Sequence, residues 1–407
     1  MSSLNYIIIS MKILFVLFSL PHLSQSAMYS DLVNVFNDNG HNVFPIAPIN
    51  NEHSKSYLSN ENGIDVLRVK TKDVFSKNLI EKGLANVLLS FQYKKALQKY
   101  WKHESFDLVI VATPSVMFAD FITFVKEKTS AKVFLLQKDI FPQNAVDLGF
   151  MKKNSIIYRF FKKHEVKLLK AANYIGCTSP GNIKYLINHY SFLNNTSLNL
   201  VYNSSKLLNV SISHDVIKEK YKLKNKFVVV FGGNMGKPQQ LENVLKLAKN
   251  ASIFNDVIFL IIGKGTEVDN LKNEAFNYGL QNIMFIDRVP REDYFNLLSA
   301  CNLGLISLHK NFTVPNTPMK LNDYLNAKLP VLASIDRTND LGELLINHEM
   351  GRFAYADDSE QLFNVFKDIY NNEEERIKMG ENGYKFCIEN LSVQNSYQTI
   401  INILNNV

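Results

Sequence analysis

The runs KFVVVFGGN (226–234) and VIFLIIGKG (257–265) constrain the fold of this chain more than any other stretch. Each is a continuous apolar run ending in glycine. Each is followed by a segment of helical periodicity, LENVLKLAKNA (241–251) and EVDNLKNEAFNYG (267–279). An apolar run without alternation is buried on both faces, which a parallel sheet covered by helices provides. The pattern continues through IMFIDRV (283–289), REDYFNLLSAC (291–301), LGLISL (303–308), a loop with a short helix, and a buried strand at 331–333.

The N-terminal half repeats the alternation. KILFVLF (12–18) leads through a loop to the helix-like SAMYSDLVNVFNDNG (26–40), closed by Gly40, and then to HNVFPIAP (41–48). FDLVIVATP (106–114), AKVFLLQKD (131–139) and ANYIGCTSP (172–180) read as further strands, with helices over 78–103, 117–129 and 152–170. A chain of 407 residues exceeds what one core comfortably supports, so two domains are expected. They fall at 1–204 and 205–390, with 391–407 a helix able to cross back to the first domain. The fold class is α/β, two Rossmann-like parallel-sheet domains. Ligands bind such sheets at the carboxyl ends of the strands, which points to the cleft between the domains.

Composition enters mainly by exclusion. Hydrophobic content of 46% with 20% charged residues rules out a disordered chain. The net charge of +7 favours a polyanion, anionic lipid or phosphorylated small molecule as partner, and equally fits a chain that is merely lysine-rich. Cys177, Cys301 and Cys387 form no C-x-x-C pair, which argues against a zinc site or disulfide framework and fits a reducing cytoplasm. The apolar YIIISMKILFVLFSL (6–20) is broken by Lys12 and followed by Pro21, not by a small-residue cleavage site. It reads as the first strand, with residues 1–10 an extension and Met11 an alternative start. It is too short for a comfortable membrane span. KKNSIIYRFFKKHEVKLLK (152–170) has seven Lys or Arg against one Glu, together with Ile156, Ile157, Phe160, Phe161, Leu168 and Leu169. Such a helix lies on an anionic membrane, or packs on a core with a solvated charged face.

Four segments carry candidate chemistry. In FGGNMGKPQQL (231–241), Gly232, Gly233 and Gly236 permit unusual backbone angles and close approach of an anion to N–H groups, with Lys237 alongside. The turn fits neither G-x-G-x-x-G nor the Walker pattern, and a plain βα turn is the other reading. In IIGKGTEVDNL (261–271), Gly263 and Gly265 flank Lys264, and Thr266 is placed to cap the next helix. After the following strand, the Val289 backbone can read the edge of a nucleobase while Arg288 supplies charge. In TVPNTPMKLNDYLNAKLPVLAS (313–334), turn formers lead into a helix over 320–327 that Pro330 stops. An exposed Lys320 and Asp323 share one face of it.

GGNMG (232–236), GKG (263–265), DRVP (287–290), TPMKLNDYLNAKLPVLAS (317–334) and GELL (342–345), with NGHNV (39–43) and VYNSS (201–205), together resemble the GT-B glycosyltransferases, in particular glycosyltransferase family 4. Within it, GNMG and P-x-K resemble a bacterial subgroup of O-antigen and capsule transferases of N-acetylated amino sugars. The resemblance implies a retaining, metal-independent transfer from a UDP-sugar, without a cofactor. The implied acceptor is a polyprenyl-diphosphate-linked saccharide at the inner face of the cytoplasmic membrane, and no nucleic acid is involved. It implies donor contacts at Gly232, Gly233, Asn234, Gly236 and Lys237, at Gly263, Gly265, Arg288 and Val289, and at Thr317, Pro318 and Asp323. Lys320 would meet the diphosphate leaving group. Asp139 would orient or deprotonate the acceptor hydroxyl, or else cap a helix. In the loop SLPHLSQSA (19–27), Ser19, His22, Ser24 and Gln25 would touch the donor phosphate or the acceptor, His22 being otherwise a plain loop histidine. The family's two glutamates eight apart fall at Pro315 and Asp323. Its Arg and Lys around the glycine turn fall at Asn234 and Gln239, leaving Lys320 and Lys237 as the nearest cations. A GT-B sugar-nucleotide epimerase and a non-catalytic nucleotide-sugar-binding protein share the architecture. Product analysis without and with acceptor separates them. A dehydrogenase would need G-x-G-x-x-G after the first strand, where SLPHLSQSA stands.

Overall fold

The computed structural model describes residues 10–49, 55–73, 79–193, 197–209 and 212–405. Residues 1–9, most of the expected extension, lie outside that set. The first sheet contains β1 (Lys12–Val16), β2 (Asn42–Pro48), β3 (Tyr57–Glu61), β4 (Ile64–Val69), β5 (Leu108–Ala112), β6 (Lys132–Gln137), β7 (Tyr174–Cys177) and β8 (Ser197–Leu200). Its order is β3-β4-β2-β1-β5-β6-β7-β8, parallel except for β3, which runs antiparallel to β4. Helices α1 (Met28–Asp38), α2 (Leu79–Tyr100), α3 (Ala119–Thr129), α4 (Gln143–Asp147), α5 (Ile156–Ala171) and α6 (Pro180–His189) connect them.

After α7 (His214–Lys220), the second sheet takes β9 (Phe227–Gly232), β10 (Val257–Ile262), β11 (Ile283–Ile286), β12 (Leu303–Ser307), β13 (Val331–Ile335) and β14 (Gly351–Tyr355). The order β11-β10-β9-β12-β13-β14 is wholly parallel and doubly wound, with its switch point between β9 and β12. Every residue of β5, β9, β12 and β13 is buried, which is why these strands read as unbroken apolar runs. The crossovers are α8 (Glu242–Asn250), α9 (Val268–Asn277), α10 (Arg291–Ser299), α11 (Lys320–Asn326) and α12 (Leu341–Asn347). The chain ends with α13 (Ser359–Asn371), α14 (Glu373–Phe386) and α15 (Val393–Asn405).

The last helix lies on the first sheet. Tyr397, Ile400 and Ile401 pack with Leu32, Val33 and Phe36 of α1 over Ile13 and Phe15 of β1. Each such buried side chain contributes on the order of 2 kcal/mol. Ser205 bridges to Ser392, so the outgoing and returning connections run side by side.

Several local expectations are corrected. Helix α9 starts after Glu267, and the Thr266 hydroxyl donates to the Glu267 carboxylate, so Thr266 is not its cap. Helix α11 ends well before Pro330. Lys328, at φ 56°, takes the left-handed conformation that turns the chain back, and the Leu329 N–H returns to the Tyr324 carbonyl (2.9 Å). Helix α5 divides its apolar residues. Leu168 and Leu169 are in the core, whereas Ile156, Ile157 and Phe160 of its first turns are exposed, as is Phe150 before the helix. No helix among the described residues is long and apolar enough to cross a membrane.

Candidate active site

Strand β9 delivers the glycine turn to the switch point of the second sheet. Tyr324 of α11 is fully buried there. Its hydroxyl accepts from the Gly232 N–H (3.0 Å) and donates to the Leu305 carbonyl (3.1 Å), tying α11 to β9 and β12. A Cβ on Gly232 would stand 2.0 Å from the Tyr294 hydroxyl. The turn after β10 packs directly on the turn after β9. Gly263 has φ +141°, and a Cβ there would lie 1.9 Å from the Gly233 carbonyl oxygen. Gly265 meets the Met235 backbone in the same way. Gly263 and Gly265 therefore hold two turns together, which is how they bear on any ligand.

That packing uses some of the expected anion donors. The Gly233 N–H donates to the Ile262 carbonyl (2.9 Å) and the Met235 N–H to the Lys264 carbonyl (2.8 Å). Gly233 and Asn234 themselves are exposed to the cleft, while Gly236 is buried at the start of a short 3-10 turn. Lys237 is exposed and leans across the cleft, its ammonium 5.2 Å from the Phe150 ring centroid of the first domain.

Lys320 and Asp323 are not exposed, contrary to expectation. Lys320 is 9% accessible. It runs beneath Gly233 and places Nζ 4.3 Å from the Phe231 ring centroid, where it donates to Gln239 Oε1. Burial pulls its ammonium down to about 7. The Asp323 carboxylate accepts from Arg291 Nη2 at 2.9 Å. Burial pushes its pKa up, against the pull of Arg291. Lys320 and Asp323 thus turn to different partners, and neither Gln239 nor Arg291 stands out in the sequence as one of them. Arg288 is exposed at the rim, and Val289 packs half-buried on the core below. Thr317 is buried and its carbonyl accepts from Asn203 Nδ2 (2.8 Å), with Pro318 half-buried beside it.

Across the cleft, Asp139 follows β6. Its N–H and that of Lys138 both donate to Thr113 Oγ1 (3.0 and 2.8 Å), which fixes the strand end. Helix α4 starts after Pro142, so Asp139 is not its cap. Burial raises the Asp139 pKa, opposed by Lys138, whose own ammonium is lowered to about 8. A carboxyl so raised is a better proton acceptor at neutral pH than an ordinary aspartate.

Ser19, His22, Ser24 and Gln25 are exposed on the β1–α1 loop, at the carboxyl end of the first sheet. His22 Nδ1 lies 2.8 Å from the Ser24 hydroxyl. The loop is pinned by a buried pair that the sequence reading did not single out. Arg68 binds Glu61 at 2.8 and 2.7 Å and donates to the Leu20 and Pro21 carbonyls, and Glu61 accepts the Leu23 N–H. Pro315, where the resemblance leads one to look for a carboxylate, docks instead on the first domain. Its carbonyl accepts from Asn182 Nδ2 (2.7 Å), and its ring lies against Gly181.

Comparison with known proteins agrees with this architecture. Residues 213–386 match the family described as Glycosyl transferases group 1. A probable glycosyltransferase, WbjE of Pseudomonas aeruginosa, is 24% identical over 300 residues, 72% of this chain and 72% of the relative. The chitobiosyldiphosphodolichol beta-mannosyltransferase of Dictyostelium discoideum is 33% identical over 135 residues, 32% of this chain and 27% of that protein. The crystal structure of Anabaena HepE in complex with UDP superposes with a TM-score of 0.70 at 14% identity, covering 98% of this chain and 100% of that one. That likeness establishes the two-domain GT-B fold.

Proposed function

We propose that this chain, a GT-B-type glycosyltransferase whose residues 213–386 form a group 1 glycosyl transferase domain, moves an N-acetylated amino sugar from a UDP donor to a polyprenyl-diphosphate-linked saccharide in surface polysaccharide assembly. The observation that carries this reading is the Lys320 ammonium, buried beneath the glycine turn at the switch point of the second sheet. Charge develops on a diphosphate as it leaves, and a fixed cation in a site of low dielectric stabilises it strongly. Lys237 on the turn adds a second, exposed charge. With these cations supplied by the chain, the transfer proceeds without a metal ion. In this reading Asp323, on the same helix as Lys320 and paired with Arg291, takes the ribose hydroxyls. Asp139 is the base that orients the acceptor hydroxyl on the opposite wall, and the exposed loop of Ser19, His22 and Gln25 offers further polar contacts at the carboxyl end of the same sheet. Attack from the face that the nucleotide leaves would retain the configuration, as in family 4.

A bilayer supplies the acceptor in this reading. The exposed Phe150, Ile156, Ile157 and Phe160 stand among the exposed Lys152, Lys153, Arg159 and Lys163, a composition suited to the inner face of an anionic membrane. The name of the Dictyostelium relative contains a lipid diphosphate, and HepE was solved with UDP, which supports the two substrate classes. The test is transfer from a panel of UDP-sugars to a polyprenyl-diphosphate saccharide, offered in anionic vesicles and in detergent. Expected are release of UDP, a lengthened lipid-linked glycan of retained anomeric configuration, insensitivity to EDTA, and faster turnover on vesicles. A UDP-sugar epimerised without acceptor, or bound without turnover, would overturn the transferase reading.

A further inference from the structure

We propose that Gln239 is a positioning residue for the donor diphosphate: its side-chain oxygen fixes the Lys320 ammonium beneath the glycine turn. The cation that meets the phosphates then comes from α11 and is aimed by the segment after β9. This rests on the donor reading above and adds a residue which that reading does not use.

Three observations converge on it. First, the segment bearing Gln239 is stapled on both sides. The Gln239 N–H donates to the Gly236 carbonyl (2.9 Å), the Pro238 carbonyl accepts from the His309 N–H (2.9 Å), and the Gln240 side-chain oxygen accepts from the Lys310 N–H (2.8 Å). Gln239 is therefore held against the end of β12 and is no floating surface amide. Second, Lys320 has little freedom. Its Cε is 3.5 Å from where a Cβ on Gly233 would sit, and Nζ faces the Phe231 ring, so Gln239 Oε1 ends a cradle of aromatic, backbone and amide. Third, among the described residues Lys320 forms no ion pair. The titratable groups of α10, α11 and the segment behind them are engaged with one another or with backbone. Asp323 is paired with Arg291, Tyr324 is bound to Gly232 and Leu305, and the Cys387 thiol leans on the Asn322 carbonyl.

An amide oxygen suits this task better than a carboxylate. It favours and orients the charged lysine but leaves the full positive charge for the phosphates, whereas a carboxylate would compete with them. Because burial holds Lys320 near neutrality, an arriving diphosphate draws a proton onto it above pH 7.

Calorimetric titration with UDP at pH 8, in buffers of different ionisation enthalpy, reads both affinity and protons taken up. Wild type should take up about one proton, and Lys320→Met none. Gln239→Met should bind UDP roughly ten-fold more weakly. Gln239→Glu should bind with almost no proton uptake, since the lysine is already charged. That variant is nearly isosteric, so the proton count is readable even where the methionine variant folds poorly. Wild-type affinity in Gln239→Met together with a wild-type proton count in Gln239→Glu would overturn the inference and leave the donor reading standing. Failure of the wild type to bind UDP would overturn the donor reading and this inference with it.

Discussion

At Gly263 the chain has no room for a side chain. Its φ of +141° disfavours any residue with a Cβ, and that Cβ would sit 1.9 Å from the Gly233 carbonyl oxygen, which the glycine turn cannot withdraw. Gly263→Ala should destabilise the protein by about 3 kcal/mol and weaken UDP binding, because the glycine turn proposed to hold the donor must itself move. The checks are a urea unfolding curve and UDP calorimetry on the same variant. Wild-type values in both would show that the two turns are not coupled. The residue scale is also where the sequence is half legible. Glycines at strand ends, and Lys320 with Asp323 three apart, can be seen without a structure. Their partners cannot. Arg291 is 32 residues from Asp323 and Gln239 is 81 from Lys320, so burial and pairing appear only once α10 and the β9 turn are folded against α11. The expectation of an exposed pair failed for that reason.

Elements of buried parallel sheet are the most legible, because a strand covered on both faces has a composition that little else shares. The β3–β4 hairpin was legible in principle. Its Asn62-Gly63 turn, with φ of 53° and 79°, is the usual two-residue connection. The Arg68–Glu61 pair across it was not, since it depends on the register of the hairpin and on the loop it clamps. Helix α15 shows the same limit and offers a test. Its Tyr397 hydroxyl lies 3.2 Å from His41 Nε2, while His41 Nδ1 accepts from the Met11 N–H (3.2 Å). The buried ring is thus built for the neutral imidazole, and burial lowers its pKa. The sign follows. The unfolded chain binds the His41 proton more readily, so this contribution to stability is complete above the ordinary histidine pKa. It falls as pH drops through that value towards the lower folded one. His41→Gln should therefore lose less stability between pH 7.5 and pH 5.5 than wild type does, as read from urea midpoints. An unchanged difference would mean that His41 does not couple α15 to pH.

At the scale of the whole molecule, the two domains meet through the stretch that leads into α11. Val314 is buried in the first domain's core, and Leu148 of the first domain in the second's. The Thr313 N–H donates to Asp147 Oδ2 (2.8 Å), the Gly181 N–H to Asp340 Oδ2 (2.6 Å), and Asn322 Nδ2 to the Asn203 carbonyl (2.7 Å). These contacts join residues 119 to 166 positions apart, which is why nothing in the sequence announces them. They also set the position of Lys320, because residues 313–318 cannot move with one domain without straining the other. Closure of this kind excludes water from a reacting donor. Asp147→Ala removes the carboxylate that holds Thr313, at the mouth of the cleft and away from Lys320. The variant should fold normally and bind UDP with near wild-type affinity, yet spend more donor on hydrolysis relative to transfer. Its solution scattering should show a broader distribution of domain separations than wild type. A wild-type hydrolysis-to-transfer ratio with unchanged scattering would mean that the Thr313 contact does not hold the cleft shut. The remaining bonds, those of Gly181, Asn182 and Asn203 among them, would then have to do so.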